Sequence, residues 1–182
     1  MHTGKAAYFI RLAGCDVGCH WCDVKDSWDK TRHPLQEIEV LVKEAKESGA
    51  PIVIITGGEP TMYSLDKITK ALKKEKIAVH LETSGAYKID GEFDWICLSP
   101  KKRKPPLMES LKMADELKVV IYNKDDFSWA EKNALGVKEK CKLFLQPEWS
   151  KADKVMPWIT EYIKNNPGWR VSLQTHKYLN VR

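Results

Sequence analysis

A chain of 182 residues with 43% hydrophobic and 30% charged side chains has the make-up of one ordinary globular domain with a sizeable core. Its net charge of +5 is mild, no apolar run nears the length of a membrane span, and residues 1–5 lack the layout of a secretion signal, so a cytoplasmic protein without a membrane partner is expected. Five cysteines, an odd number, argue against a disulfide framework.

Short apolar runs alternate with amphipathic segments, the pattern of a parallel sheet with crossover helices. Residues 6–10 read as a first buried strand, and Leu35, Ile38, Leu41, Val42 and Ala45 form a helical stripe that stops at Ser48-Gly49. A second strand covers 51–56, a helix carries Leu65, Ile68 and Leu72, and a third strand covers 78–82. The link over 84–94 has no helical stripe and leads to a fourth strand at 95–98. Further strands are expected at 117–121, 143–145 and 171–173, with a helix at 152–164 closed by Asn165-Asn166-Pro167-Gly168. An eight-fold βα barrel needs roughly 250 residues, so an incomplete parallel βα barrel in a single domain, 1–182, is expected.

Three of the five cysteines, Cys15, Cys19 and Cys22, fall within eight residues just beyond the first strand. Three thiolates on one loop can hold a cubane iron-sulfur cluster at three corners and leave the fourth iron open for chemistry. Zinc is the competing reading, but structural zinc wants four ligands, and His20 is squeezed between two of the cysteines. Cys97 and Cys141 lie in apolar stretches and read as buried thiols.

Polar and glycine-rich residues recur just beyond the strands, where parallel βα folds build their sites. Thr56-Gly57-Gly58-Glu59-Pro60 follows the second strand, Thr83-Ser84-Gly85 the third, Ser99-Pro100-Lys101 the fourth, Gln146-Pro147-Glu148 the sixth and Gln174-Thr175-His176-Lys177 the last. Taken singly these are ordinary turns and strand ends, but together they would share one rim with the cysteine loop. The glycines leave backbone groups open to a close ligand, and Glu59 offers an acceptor that can orient an amine. Rim placement also makes Glu82 and His176 candidates for proton handling. The basic run Lys101-Lys102-Arg103-Lys104 has no nucleic-acid-binding pattern beside it and reads as a solvated loop, with no direct nucleic-acid partner.

The CxxxCxxC spacing, the aromatic Trp21 before the last cysteine and Gly57-Gly58-Glu59-Pro60 after the second strand resemble the radical S-adenosylmethionine enzymes. That resemblance implies a 4Fe-4S cluster on Cys15, Cys19 and Cys22, with S-adenosylmethionine on its open iron, the glycine loop at the methionine end and Trp21 near the adenine. Within that superfamily, Phe9-Ile10-Arg11-Leu12-Ala13-Gly14-Cys15, Trp21-Cys22-Asp23, Glu82-Thr83-Ser84-Gly85, Leu98-Ser99-Pro100-Lys101, Gln146-Pro147 and Gln174-Thr175-His176-Lys177 are similar to stretches of the 7-carboxy-7-deazaguanine synthase family. The resemblance implies conversion of 6-carboxy-5,6,7,8-tetrahydropterin to 7-carboxy-7-deazaguanine with loss of ammonia. Arg11, Thr56 and, through its terminal carboxylate, Arg182 match substrate contacts. Trp21, Cys22, Asp23, Gly57, Gly58, Glu59, Ser99, Pro100, Lys101, Gln146 and Pro147 match cofactor contacts. A flavodoxin or ferredoxin electron donor and a homodimer are implied by resemblance alone.

Two departures stand out. Family members carry a Gln-Gly-Glu-Gly stretch before the first strand, whereas this chain opens on Met1-His2-Thr3-Gly4, either a late start or a shortened protein. Val24 replaces a threonine that ligates magnesium in many members, and valine cannot bind a hard cation, which leaves substrate, water and nearby Asp23 to hold the ion or the ion dispensable. Two rivals share the cysteine loop: an activase that installs a glycyl radical on a partner protein, which does not require Arg11 or the Gln174-Thr175-His176-Lys177 ending, and a non-catalytic metal-binding module.

Overall fold

The computed structural model describes residue 2 and residues 4–180. Seven strands, β1 Tyr8–Leu12, β2 Ile52–Gly57, β3 Ala78–Thr83, β4 Trp95–Leu98, β5 Glu116–Ile121, β6 Lys142–Pro147 and β7 Trp169–Val171, form one sheet in chain order. Every neighbouring pair is parallel, and β1 and β7 are its two edges, so the barrel is left open as expected from length. The helices are α1 Ile38–Glu47, α2 Asp66–Lys74, α3 Met108–Met113, α4 Asp125–Ala134, α5 Ala152–Asn165 and α6 Thr175–Leu179. Among the described residues no helix is long and apolar enough to cross a membrane. Strands β3 and β4 are joined without a helix, as the missing stripe over 84–94 predicts.

Alternation along each strand separates two faces. Val53 and Ile55, Val79 and Leu81, Ile96 and Leu98, Leu117 and Val119, and Leu145 are buried in two clusters under the helices. Residues of the opposite parity, including Arg11, Thr56, Glu82 and Lys118, therefore line the other, concave face, where Arg11 pairs in register with Thr56 and Glu82 with Cys97. At the N-terminal ends of the strands, aspartates tie the chain down: Asp94 accepts from the Val79 amide at 2.7 Å, and Asp115 from the Ile96 amide at 2.9 Å. This division assigns the lower rim to stability and leaves the upper rim for chemistry.

Two strand positions differ from the apolar runs that suggested them. Strand β1 runs two residues further, because its ladder with β2 extends to Leu12↔Gly57 and carries the charged Arg11 on the open concave face. Strand β7 starts at Trp169, which is 4% exposed and anchors the second core cluster, while Leu173 is 48% exposed. The Val171-Ser172-Leu173 alternation marks a sheet edge instead of a core strand.

Candidate active site

The cysteine loop leaves β1 through Gly14, whose φ of 101° is open to glycine at low cost. Its shape is set by other loops. The Gly14 amide donates to Ser27 O at 2.7 Å, the Gly58 amide to Leu12 O at 2.8 Å, and the Glu59 amide to Gly14 O at 2.9 Å. A Cβ on Gly57 would lie 2.1 Å from Leu12 O, and one on Gly58 would lie 2.3 Å from Gly14 O. The glycine pair therefore lets the loop after β2 lie against the cysteine loop, and the amides of Gly58 and Glu59 are committed to it rather than open to a ligand.

Glu59 is only 1% exposed. One carboxylate oxygen accepts from Thr61 N at 3.2 Å, Thr61 Oγ1 at 2.7 Å and Thr83 Oγ1 at 2.5 Å; the other accepts from Ser84 N at 2.8 Å and from Ser84 Oγ. Five donors fill the capacity of a carboxylate in this structure, so Glu59 is held by the fold on every side. It joins the loops after β2 and β3 beneath the cysteine loop.

Cys15, Cys19 and Cys22 are free, half-buried thiols on this scaffold, with the Cys22 amide turned back to Cys19 O at 3.1 Å. Burial pushes the Cys15 thiol up against the pull of the Val17 and Gly18 backbone, and pushes Cys19 up against the nearby Lys101 charge. Among the described residues, no three His, Cys, Asp or Glu side chains converge as ligands of one ion do. Three thiols on one loop, with no fourth protein ligand beside them among the described residues, suit a polynuclear cluster with one open corner better than a closed four-ligand zinc site.

The basic run after β4 is tied to the rest of the fold at every position, although Lys102 and Arg103 are exposed. Lys101 Nζ donates to Ser99 O at 2.5 Å and Ser99 Oγ at 2.7 Å and lies 5.7 Å from the Trp21 ring centre. Lys102 pairs with Asp126 at 2.6 Å, Arg103 donates to Gly18 O at 3.1 Å, and Lys104 pairs with Asp16 at 2.6 Å. Each cation has a partner within the fold, three of them on the cysteine loop or its border.

On the concave face, Glu82 accepts from Lys118 Nζ at 3.2 Å and from Thr56 Oγ1 at 3.5 Å. The Lys118 charge first, then its hydrogen bond and the charges of Arg11 and Lys101, hold the Glu82 carboxyl below the usual carboxylate range despite burial. These partners favour the ionised form of Glu82. Arg11 is exposed beside it, with its guanidinium 5.0 Å from the Phe9 ring centre.

A cavity of about 410 Å³ opens beside Trp21, Cys22 and Asp23 and is walled by Tyr122, Trp149 and Lys177. The Asp23 carboxylate accepts from Gln174 Nε2 at 3.0 Å and pairs with Lys177 Nζ at 2.8 Å.

A family model described as the Radical SAM superfamily matches residues 9–94. A 7-carboxy-7-deazaguanine synthase from Flavobacterium psychrophilum is 55% identical over 180 residues, covering 99% of this chain and 85% of the relative. The chain belongs to the 7-carboxy-7-deazaguanine synthase family. A synthase of the same name from Synechocystis sp. is 48% identical over 180 residues, covering 99% of this chain and 86% of the relative. The crystal structure of QueE from Escherichia coli matches with a TM-score of 0.83 at 28% identity, over 94% of this chain and 86% of that one. Streptococcus suis SuiB bound to S-adenosylmethionine, at 14% identity and a TM-score of 0.61 over 92% of this chain and 46% of that one, shares the fold. Membership in the synthase family implies a 4Fe-4S cluster and S-adenosylmethionine as cofactors.

Most of the residues singled out for a synthase site meet at the upper rim. Ser99 is fixed by its amide on Thr83 O at 2.8 Å, Gln146 accepts from Ser172 Oγ at 3.3 Å, and Pro100 and Pro147 are buried beside them. His176 is exposed on α6, in a helix rather than a loop, and Arg182 lies outside the described residues. Sequence reasoning missed Tyr122 and Trp149, although each lies within two residues of the end of a strand, the position that located the other rim residues. Magnesium does not fit the expected ligands: Val24 is 40% exposed with no oxygen to offer, and the Asp23 carboxylate is engaged by Lys177 and Gln174.

Proposed function

We propose that this chain converts 6-carboxy-5,6,7,8-tetrahydropterin to 7-carboxy-7-deazaguanine with loss of ammonia, a carbon–nitrogen lyase reaction carried out by one radical S-adenosylmethionine domain in the cytoplasm. The observation that carries this reading is 55% identity to a synthase across 99% of the chain, with the motif residues assembled on one rim. Cys15, Cys19 and Cys22 would hold the 4Fe-4S cluster. When bound, cluster and S-adenosylmethionine supply a one-electron reduction and the carbon radical that takes hydrogen from C6 of the pterin.

Positioning falls to the protein. Arg11 offers a fork of donors to the substrate carboxylate. Thr56 and the ionised Glu82 present polar groups beside it on the concave face, and Trp21, Tyr122 and Trp149 give the aromatic cavity that suits the nucleoside end of S-adenosylmethionine. We assign no role to magnesium. A flavodoxin or ferredoxin as electron donor and a homodimeric assembly belong to the same proposal.

Anaerobic reconstitution of the chain tests it. The expected outcome is a brown protein that cleaves S-adenosylmethionine under reduction and yields 7-carboxy-7-deazaguanine from the carboxytetrahydropterin. Cofactor cleavage with no deazaguanine would sink the synthase reading and favour an activase; a colourless zinc protein would sink both.

A further inference from the structure

Beyond Lys101, the basic run has no part in the proposed reaction. Residues 101–104 are four successive cations, of which Lys101, Arg103 and Lys104 contact the cysteine loop while Lys102 turns to Asp126. Lys104 Nζ lies 2.6 Å from Asp16 Oδ2 and 2.5 Å from Tyr87 Oη, while Tyr87 Oη donates to the same Asp16 oxygen at 2.5 Å. The ammonium also sits 4.0 Å from the Tyr87 ring centre. Asp16 follows the first cysteine directly, so this triangle fixes the start of the loop. Arg103 Nη1 donates to Gly18 O at 3.1 Å, and a Cβ on Gly18 would meet that nitrogen at 3.0 Å. Gly18 directly precedes the second cysteine and has a φ of 65°, which favours glycine, and the guanidinium lies in the space that a Cβ there would crowd.

The two contacts differ in charge. Lys104 is neutralised by Asp16, and an exposed pair of this kind contributes little to overall stability, so its effect is on loop geometry. Arg103 forms no ion pair among the described residues; its contact on the loop is a neutral carbonyl. Its positive charge therefore remains uncancelled next to the loop, and charges and hydrogen bonds around a thiolate-ligated cluster set its reduction potential.

We propose that the loop after β4 is a two-part clamp on the cysteine loop, in which Lys104, through Asp16 and Tyr87, presets the loop for the cluster, while Arg103, seated on Gly18, makes the cluster easier to reduce. Both are positioning residues that act through the loop. The inference rests on the assignment of Cys15, Cys19 and Cys22 as cluster ligands.

The test uses the full-length chain carrying K104M, K104R, R103Q or no change. In the metal-free chain, K104M is expected to raise the alkylation rate of Cys15 and Cys19, read by mass spectrometry, several-fold over wild type, and K104R to restore most of the protection. In the reconstituted chain, K104M is expected to lose iron to a chelator several-fold faster than wild type. R103Q is expected to move the cluster's midpoint potential to a more negative value in an EPR-monitored redox titration, with an unchanged thermal midpoint. Equal alkylation and iron loss in K104M and wild type would overturn the geometric half, and an unmoved potential in R103Q the electrostatic half. A wild-type chain that takes up no cluster would overturn the ligand assignment and with it the electrostatic half, while the alkylation rates would still decide the geometric half.

Discussion

Lys177 Nζ stands 2.8 Å from Asp23 Oδ2 and joins the loop after the first strand to the helix after the last. The sheet does not close, since β1 and β7 are both edges, yet its upper rim does: Gln174 reinforces the bridge at 3.0 Å. Burial raises the Asp23 carboxyl, but the Lys177 hydrogen bond and charge and the Gln174 hydrogen bond outweigh it, so the group is held below the usual carboxylate range. The Asp23 side chain is 48% exposed, which limits the pair to roughly 0.5 kcal/mol. A depressed carboxylate stabilises the fold above its unfolded pKa of about 3.9, and that contribution disappears as pH falls through the folded value. K177M should therefore lower stability by about 0.5 kcal/mol at pH 7, and the difference from wild type should vanish once the pH has fallen below the folded value of Asp23. Hydrogen exchange over residues 174–180 should accelerate at pH 7; unchanged exchange would mean the bridge does not hold the rim closed.

Glu59 is a second tie between loops, and a buried one. Replacing it by glutamine keeps an acceptor but swaps part of a carboxylate that takes five hydrogen bonds for an amide donor facing Thr61, Thr83 or Ser84 donors. Buried mispaired groups of this kind cost about 1–3 kcal/mol. E59Q should lose about 2 kcal/mol in urea denaturation of the metal-free chain. A loss within error would show that the carboxylate is not the tie described.

The strand order and open barrel were legible because each strand is a short apolar run and the chain is too short to close. The cysteine loop was legible as a motif, and the rim residues by their place after strands. What sequence could not convey was how Glu59 and the basic run are used. Composition makes Lys101-Lys102-Arg103-Lys104 look like a solvated stretch, and only the fold brings Asp16, Gly18 and Asp126 against it. Likewise Gly57 and Gly58 are glycines for close packing on Leu12 and Gly14, partners more than forty residues away in the chain. Long-range pairing of this sort leaves no local signal.

Cys97 and Cys141 are separable from the loop cysteines. Cys97 is 5% and Cys141 8% exposed, and burial pushes both thiols up, Cys141 to about 11 and Cys97 further. Protonated buried thiols are poor ligands and inert nucleophiles. The double variant C97A/C141A should keep the full iron content of wild type after reconstitution, at a cost of about 1–2 kcal/mol in stability for the lost packing. Each of C15A, C19A and C22A should lose the cluster. Iron loss in C97A/C141A would show that the ligand set extends beyond the loop.

Lys118 holds Glu82 across the intervening strand β4. Burial works to lower the Lys118 ammonium, but the charges of Glu82 and Glu116 and its hydrogen bond to Glu82 hold it raised. Without it, Glu82 loses its largest downward influence while burial continues to push it up. If substrate binds the ionised carboxylate, K118M should move the acidic limb of the kcat/KM profile to higher pH, with little change above neutrality. An unmoved limb would separate Glu82 from substrate binding.

Val24 provides the last test, because it bears on how the substrate carboxylate is neutralised. A magnesium ion at this point needs several oxygens, and the chain supplies a methyl-bearing side chain next to an aspartate already paired with Lys177. Cation charge is available from Arg11 instead, whose fork binds a carboxylate without a metal. Turnover should thus be unchanged, within about two-fold, between chelator-treated protein and protein supplied with magnesium. V24T restores a hydroxyl but leaves Lys177 on Asp23, so the single variant should gain little, whereas V24T/K177M frees the carboxylate as well and should acquire a magnesium response. Magnesium-stimulated turnover in the unaltered chain would show that substrate and water bind the ion without either side chain.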